Sequence, residues 1–512
     1  MILVMAAIGT TQLVIFGASG DLTRRKLIPA LVRLEAAGQL GEAVSIIGVS
    51  RTPKSDQEYR DELAKAMPKD TAGDYQSLAS RIYYHSADVT KADDVAGLSE
   101  RLDSMSGGSS AGRLFYLSLK PELFASTLTT LGEAGLLHMS ERETERWRRV
   151  VVEKPFGNDM ESARKLNEGM HEYLREDQIY RIDHYLGKET VQNLLGFRFH
   201  NTIFEPLWNR HHIELIQITV AEDIGVEKGR AGFYDDNGAM RDVVQNHMLQ
   251  LLALVAMEAP ATLDGNDIRN QKVEVLRALH CPDPDDVAQN SVRARYVAGE
   301  VGGHEAIAYL DEQGVPADSG TETYVALRAE VDTWRWSGVP FLLRHGKRLR
   351  NRFTEIKVQF RTPPVQLFNR PDGVSDAEFR RKLRNGSLCQ IRPNVLTISI
   401  QPQEKLSLSF GVKQPGADMI MTPANLDFNY EDAFQCKTAP AYQRLLLDAL
   451  IGDPTLFLRA DEIDASWRYT DEVIRGWSAP NAPKLAEYPA GSWGPEEADA
   501  LFEGCEGCWS RG

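Results

Sequence analysis

Cysteine is scarce in this chain of 512 residues. The five present, Cys281, Cys389, Cys436, Cys505 and Cys508, are too few and too scattered for a disulfide framework. Cys505 and Cys508 form a CxxC near the end, but no second pair and no neighbouring histidine accompanies them. We read them as an incidental surface feature, and no metal site is expected. Positive charge is also short: 58 Lys and Arg against 73 Asp and Glu leave a net −15. That argues against nucleic acid as a partner, while leaving room for a small anion in a local basic pocket. No run approaches the roughly 20 apolar residues that span a bilayer, so no membrane partner is expected. Met1–Ile8 is apolar, but no charge precedes Asp21, and a secretory leader wants a positive start. A cytoplasmic protein is the expectation. Hydrophobic residues at 42% and charged residues at 26% match globular usage, which excludes disorder and fibrous repeats for most of the chain. The length suggests two to four compact units.

What is present falls into two textures. The first alternates strand-like and helix-like segments: Leu13–Phe16, then helical spacing over Leu22–Leu40, then Val44–Val49. Leu114–Ser118, Leu123–Leu136 and Val150–Glu153 repeat that alternation, and Ser104–Gly112 reads as a Gly/Ser loop. Such repetition implies a parallel sheet covered by helices. After roughly residue 195 come Ile213–Ala221, an apolar helix over Val243–Met257, and the β-like runs Val292–Ala298, Thr323–Asp332, Glu355–Phe360 and Val395–Pro402. The expected architecture is thus an N-terminal Rossmann-like α/β domain, residues 1–193, followed by an α+β domain, residues 194–512, on a mostly antiparallel sheet. The tail from Ala479, rich in Pro, Gly and Trp, is expected to wrap the surface.

The first strand runs into Ile15-Phe16-Gly17-Ala18-Ser19-Gly20, with Asp21 and Leu22 opening the next helix. Measured against G-x-G-x-x-G, Ile15 replaces the first glycine, while Gly17 and Gly20 keep the other two. The helix start offers free N–H groups to a pyrophosphate. By spacing alone, a plain βα turn is an equal reading. After the second strand, where NAD sites place an acidic residue, the chain reads Ser50-Arg51-Thr52. An arginine there suits a 2′-phosphate and hence NADP; a solvated loop arginine is the alternative, and NAD use stays open.

Four motifs follow in order. They are Gly17-Ala18-Ser19-Gly20-Asp21-Leu22 with Arg25-Lys26-Leu27; Glu153-Lys154-Pro155-Phe156-Gly157; Arg181-Ile182-Asp183-His184-Tyr185-Leu186-Gly187-Lys188-Glu189; and Asp242-Val243-Val244-Gln245-Asn246-His247. With Arg335–Phe341, Gly346-Lys347 and Ala441–Leu445 they cover nearly the whole chain, and together they resemble the glucose-6-phosphate dehydrogenase family. One departure is visible: Lys120 precedes Pro121 where the family usually has two prolines.

The resemblance implies an NADP-dependent oxidation of D-glucose 6-phosphate to 6-phospho-D-glucono-1,5-lactone, the first step of the oxidative pentose phosphate pathway. It maps the catalytic base onto His247 and its carboxylate partner onto Asp183. An unperturbed imidazole suits a base at neutral pH; an isolated His247 in an apolar helix would read more readily as a core histidine, and its place in the Asp242–His247 motif reverses that preference. The substrate phosphate maps onto His184, Tyr185 and Lys188. If Asp183–Glu189 enters a helix, His184 and Lys188 share a face at i,i+4, and a polar helix end is the alternative reading. Lys154 maps between coenzyme and sugar, and Glu222, Asp242 and Lys347 map onto the sugar site, with Gln401 as a further contact. Gly17, Ser19, Gly20, Asp21, Leu22, Arg51 and Lys154 are the expected coenzyme residues. Self-association as a homodimer or homotetramer through the large sheet is also implied. Rival accounts are a related hexose or hexose-phosphate dehydrogenase and a non-catalytic nucleotide-binding regulator.

Overall fold

The computed structural model describes residues 8–138, 146–226, 229–363, 375, 377–378, 393–416, 421–435, 438–503 and 507–512. The first seven residues and Cys389, Cys436 and Cys505 lie outside them; Cys281 and Cys508 are exposed. Among the described residues, no helix is long and apolar enough to cross a membrane. The chain divides into two compact units, the first comprising residues 1–188, 258–273 and 439–467, the second 189–257, 274–438 and 468–512.

The first unit is built on strands β1 (Thr11–Phe16), β2 (Val44–Ser50), β3 (Ile82–Ser86), β4 (Gly112–Leu117), β5 (Arg148–Val152) and β6 (Ile179–Ile182). They pair in parallel in the order β6-β5-β4-β1-β2-β3. A short antiparallel strand, Phe457–Leu458, adds to the β6 edge. β1 is buried throughout because it lies inside the sheet with helices packed over it, which suits an apolar run without alternation. Each of Leu13, Val14 and Ile15 contributes on the order of 1.5–3 kcal/mol by leaving water. The helical spacing after Gly20 forms two joined pieces, a π-helical turn Thr23–Leu27 and an α-helix Ile28–Ala36.

The second unit continues the numbering with β7 (Ile213–Ala221), β8 (Ser291–Val297), β9 (Gly299–Val301), β10 (His304–Ala306), β11 (Tyr324–Ala329), β12 (Phe341–Gly346), β13 (Phe353–Phe360), β14 (Val395–Gln401), β15 (Lys405–Lys413) and β16 (Met421–Asn429). With β17 for Phe457–Leu458 in the first unit, the last strand is β18 (Ala486–Pro489). Among the described residues, nine strands form one sheet, ordered β16-β15-β14-β13-β7-β12-β11-β8-β18, while β9 and β10 make a separate hairpin. Among the described residues, only β7 with β12 and β8 with β18 are parallel in the large sheet, so its character is mostly antiparallel. The fold is therefore the Rossmann-like domain and larger sheet domain that the two textures implied.

Two local expectations need correction. The apolar helix begins earlier and differently: Met240–Met248 is a π-helix, continued by the α-helix Leu249–Ala256. The tail does not simply wrap the surface. β18 joins the large sheet, and Tyr488, Phe502 and Trp509 lie in the core with Tyr296 and Tyr324. Its aromatic spacing supplies apolar area that outweighs the loop-like Pro and Gly content.

Candidate active site

In the first unit, the expected residues gather at the carboxyl ends of parallel strands, where open α/β sheets bind ligands. Gly17 follows β1 with φ 78°, and a Cβ there would collide with the Ser118 carbonyl, so glycine is the residue the turn accepts. Gly17 and Ala18 donate N–H bonds to the Val49 carbonyl at 3.0 and 3.1 Å, and Gly20 N–H closes the turn on Gly17 O at 2.8 Å. Thr23 Oγ1 also reaches Gly17 O, at 3.2 Å. Ser19 and Ser50 hydroxyls share a hydrogen bond at 2.9 Å, tying this turn to the end of β2. Arg51 follows immediately and is exposed, while Asp21 pairs with Arg25 at 3.0 Å on the surface. Lys120, the departure from the family pattern, is exposed after β4.

After β5 come half-buried Glu153 and Lys154, and the Lys154–Pro155 peptide is cis. Tyr116 donates its hydroxyl to Glu153 at 2.5 Å, and Tyr442 donates a second bond. Removal from water pushes the Glu153 carboxyl above the usual range, against these two phenols and Lys154; Asp183 adds to the upward push. Sequence reasoning missed this cluster, because its members come from β4, the end of β5 and a segment near residue 442.

After β6, Asp183 is buried and accepts the Tyr185 N–H at 2.9 Å. Leu186 N–H bonds to Asp183 O and Lys188 N–H to Tyr185 O, each at 3.1 Å. Residues 184–187 are therefore a turn, and the helix begins only at Glu189. The expected helical i,i+4 pairing of His184 and Lys188 is not formed, since the Asp183 side chain competes for the N–H groups a helix would leave free. His184 and Tyr185 still stand together, with ring centroids 5.0 Å apart.

The second unit assembles another cluster by strand register. β7 and β12 run parallel with Ala221 opposite Gly346, so Glu222 and Lys347 leave the sheet side by side. Lys347 Nζ donates to Glu222 Oε2 at 2.6 Å, and Nζ lies 5.0 Å from the Tyr234 ring centre. Burial raises the Glu222 carboxyl, but Lys347 and His345 more than offset it and hold it below the usual range; Asp242 opposes them weakly. His345 is fully buried, its Nδ1 2.8 Å from the Val220 carbonyl. Desolvation lowers its pKa to about 4, so the ring is neutral near pH 7. Asp242 lies in the first turn of the π-helix Met240–Met248, and His247 sits near its end, 2% exposed. π-Helical turns often mark functional sites, because the extra residue per turn re-aims side chains. Gln401, at the end of β14, donates to Thr354 Oγ1 at 2.8 Å.

With this geometry in view, two family models match the chain: "Glucose-6-phosphate dehydrogenase, NAD binding domain" over residues 14–193, and "Glucose-6-phosphate dehydrogenase, C-terminal domain" over 195–510. The chain belongs to the glucose-6-phosphate dehydrogenase family. A glucose-6-phosphate 1-dehydrogenase of Aggregatibacter actinomycetemcomitans is 45% identical over 509 residues, covering 98% of this chain and 97% of its own. The Bacillus subtilis enzyme of the same name is 41% identical, with 96% of each chain covered. A solved glucose-6-phosphate dehydrogenase in complex with its substrate glucose-6-phosphate superposes with TM-score 0.85 at 33% identity, covering 98% of this chain and 99% of that one. A Mycobacterium avium glucose-6-phosphate 1-dehydrogenase structure gives 0.77 at 37% identity, with 98% and 99% covered.

In this member of the glucose-6-phosphate dehydrogenase family, the turn after β1 fits a dinucleotide. Gly17 lets the chain turn tightly against the Ser118 carbonyl, where no side chain would fit, and a helix start with its N–H groups follows. Sequence reasoning missed Ser50 and His345. Ser50 carries no motif signal, and His345 is visible only as a histidine two residues before Lys347.

Proposed function

We propose that this protein oxidises D-glucose 6-phosphate at C1 to 6-phospho-D-glucono-1,5-lactone with reduction of NADP+, the first step of the oxidative pentose phosphate pathway. The observation that carries the reading is the turn after β6, where Asp183, His184, Tyr185 and Lys188 stand within one short stretch of a chain that the family models match over residues 14–193 and 195–510. A dianionic phosphate is held by an ammonium, an imidazole and a phenol, donors that match its oxygens. His247 accepts the proton of the C1 hydroxyl as general base. Asp183 fixes its tautomer and stabilises the imidazolium, as a carboxylate does in other histidine-based sites. Glu222 and Asp242 accept hydrogen bonds from sugar hydroxyls, and Lys347 donates to them. Lys154 lies toward both reactants.

NADP is held by Gly17, Ser19, Gly20, Asp21 and Leu22 at the pyrophosphate and by Arg51 at the 2′-phosphate, with Lys154 as a further contact. When bound, it supplies the hydride acceptor. Residues 1–193 carry the coenzyme role and the phosphate-holding turn, and 194–512 carry the base, the sugar-hydroxyl contacts and self-association. Leu426, Phe428 and Phe434, on and beside edge strand β16, are exposed. They support pairing through the large sheet, as a homodimer or homotetramer in the cytoplasm. Sedimentation velocity tests the assembly, and a monomer at micromolar concentration removes it.

Steady-state kinetics with glucose and glucose 6-phosphate, each with NADP+ and NAD+, tests the activity. The phosphorylated sugar should be favoured by about 10³-fold or more in kcat/KM, because a phosphate site left unpaired is costly. Equal efficiency on glucose overturns the substrate assignment, and absence of turnover on both favours the non-catalytic reading.

A further inference from the structure

The π-helix that carries Asp242 and His247 does not start freely. The preceding helix Ala231–Ala239 is broken at Gly238, whose φ of 68° is left-handed, and the chain re-enters a helical path at Ala239. A Cβ on Gly238 would overlap the Glu322 carboxylate. Glu322 is buried, and its Oε1 accepts the Met240 N–H at 3.0 Å, while its own carbonyl accepts Ala239 N–H at 3.1 Å and Tyr234 OH at 3.4 Å. The same segment is laced to the broken helix by Thr321 Oγ1 on Asp235 O at 2.7 Å. The next residue holds the other arm of the cluster: Thr323 O accepts Lys347 N–H at 3.0 Å. Tyr488 OH shares a bond with Thr323 Oγ1 at 3.1 Å and donates to Lys347 O at 2.6 Å.

We propose that Glu322 is a positioning residue: by capping the first N–H of the π-helix beside the Gly238 break, it sets the direction of Asp242 and His247 relative to Lys347. A negative group at a helix start complements the exposed N–H dipoles. Arg241 and Arg293 supply positive charge to it, although burial still raises its carboxyl above the usual range. The inference rests on the assignment of His247 and Asp242 to the sugar site.

The test compares Glu322→Ala, Glu322→Gln and Gly238→Ala in the full-length protein. Three quantities are read: kcat and KM for glucose 6-phosphate, NADP+ affinity by fluorescence titration, and amide hydrogen exchange across residues 240–248. Glu322→Ala should lower kcat/KM for the sugar phosphate about 10–100-fold, as expected for misplaced reacting groups. It should speed exchange at the helix start about tenfold and leave NADP+ affinity within twofold. Gly238→Ala should act in the same direction, and Glu322→Gln, which keeps an acceptor oxygen, should restore most of the activity. Unchanged exchange in Glu322→Ala overturns the inference, as does a kinetic loss matched by a loss of NADP+ affinity. Gln performing no better than Ala also overturns it. Faster exchange with wild-type kcat/KM instead overturns the assignment of this helix to catalysis. If the Ala variant does not fold, the Gln and Gly238→Ala variants decide the same question.

Discussion

The turn after β6 draws Asp183, His184, Tyr185 and Lys188 from one short stretch, whereas Glu222 and Lys347 lie 125 residues apart and meet because β7 and β12 run parallel in register. The first cluster is held by local N–H bonds of its own turn. The second is held by the sheet, with the Lys347 carbonyl further fixed by Tyr488 from the tail. On the proposed roles, the first cluster should lose a member with little effect on the fold, while loss of Lys347 should disturb both the proposed sugar contacts and the sheet.

The largest effect should come from His247→Asn, which leaves both clusters in place. kcat should fall by about 10²–10⁴-fold, the usual worth of a general base, with NADP+ affinity and thermal midpoint unchanged. Wild-type turnover would remove the base assignment. Next, Lys188→Ala should raise KM for glucose 6-phosphate about 10–100-fold, in keeping with roughly 1.5–3 kcal/mol for a bond to a charged group. Its urea midpoint should stay at the wild-type value. Lys347→Met should do less to KM, about tenfold, but should also cost about 1–3 kcal/mol of stability by leaving Glu222 half-buried without its ammonium. If Lys188→Ala loses as much stability as Lys347→Met in urea titrations, the contrast between the clusters fails. Arg51→Ala should raise KM for NADP+ several-fold to about tenfold and leave NAD+ kinetics alone, since only the 2′-phosphate needs the guanidinium.

The smallest effect at neutral pH belongs to His345, whose change shows only in acid. Its folded pKa is lowered to about 4, while the unfolded chain keeps the ordinary value of 6.5. As pH falls from 6.5 to 4, the unfolded state takes up a proton that the folded state refuses, so stability drops with pH. The loss is about 3 kcal/mol at most, and His345→Gln should remove that part of the slope in denaturant titrations at pH 7, 5.5 and 4.5. An identical slope in both proteins would mean that the imidazole is not desolvated.

Much of the fold could be read along the chain because neighbours encode it. The apolar runs of β1, β2 and β7 lie within a residue or two of their observed bounds, since a buried strand needs little beyond its own side chains. The short edge strand β3 was missed, with tyrosines and a histidine in place of an apolar run. Helical spacing misled at Asp183–Glu189, where a carboxylate took the N–H groups of its own turn. Composition misled at the tail, whose Tyr488 and Trp509 are core residues. The grouping of residues 183–188 was legible because they are contiguous. Nothing local joins Glu222 to Lys347, Glu153 to Tyr116, or Glu322 to Met240.

By itself, the sequence determined the order of strands and helices in the first texture, the glycine turn at residues 17–20, the acidic balance and the motifs that carry the family. All of these depend on residues close together in the chain, where backbone preference and side-chain chemistry act directly. Only the tertiary structure decided that residues 258–273 and 439–467 join the first unit, that Ala221 stands opposite Gly346, and that a buried Glu322 caps the π-helix. Those outcomes follow from sheet register and packing, which are settled by the whole set of competing burials and hydrogen bonds rather than by any one segment.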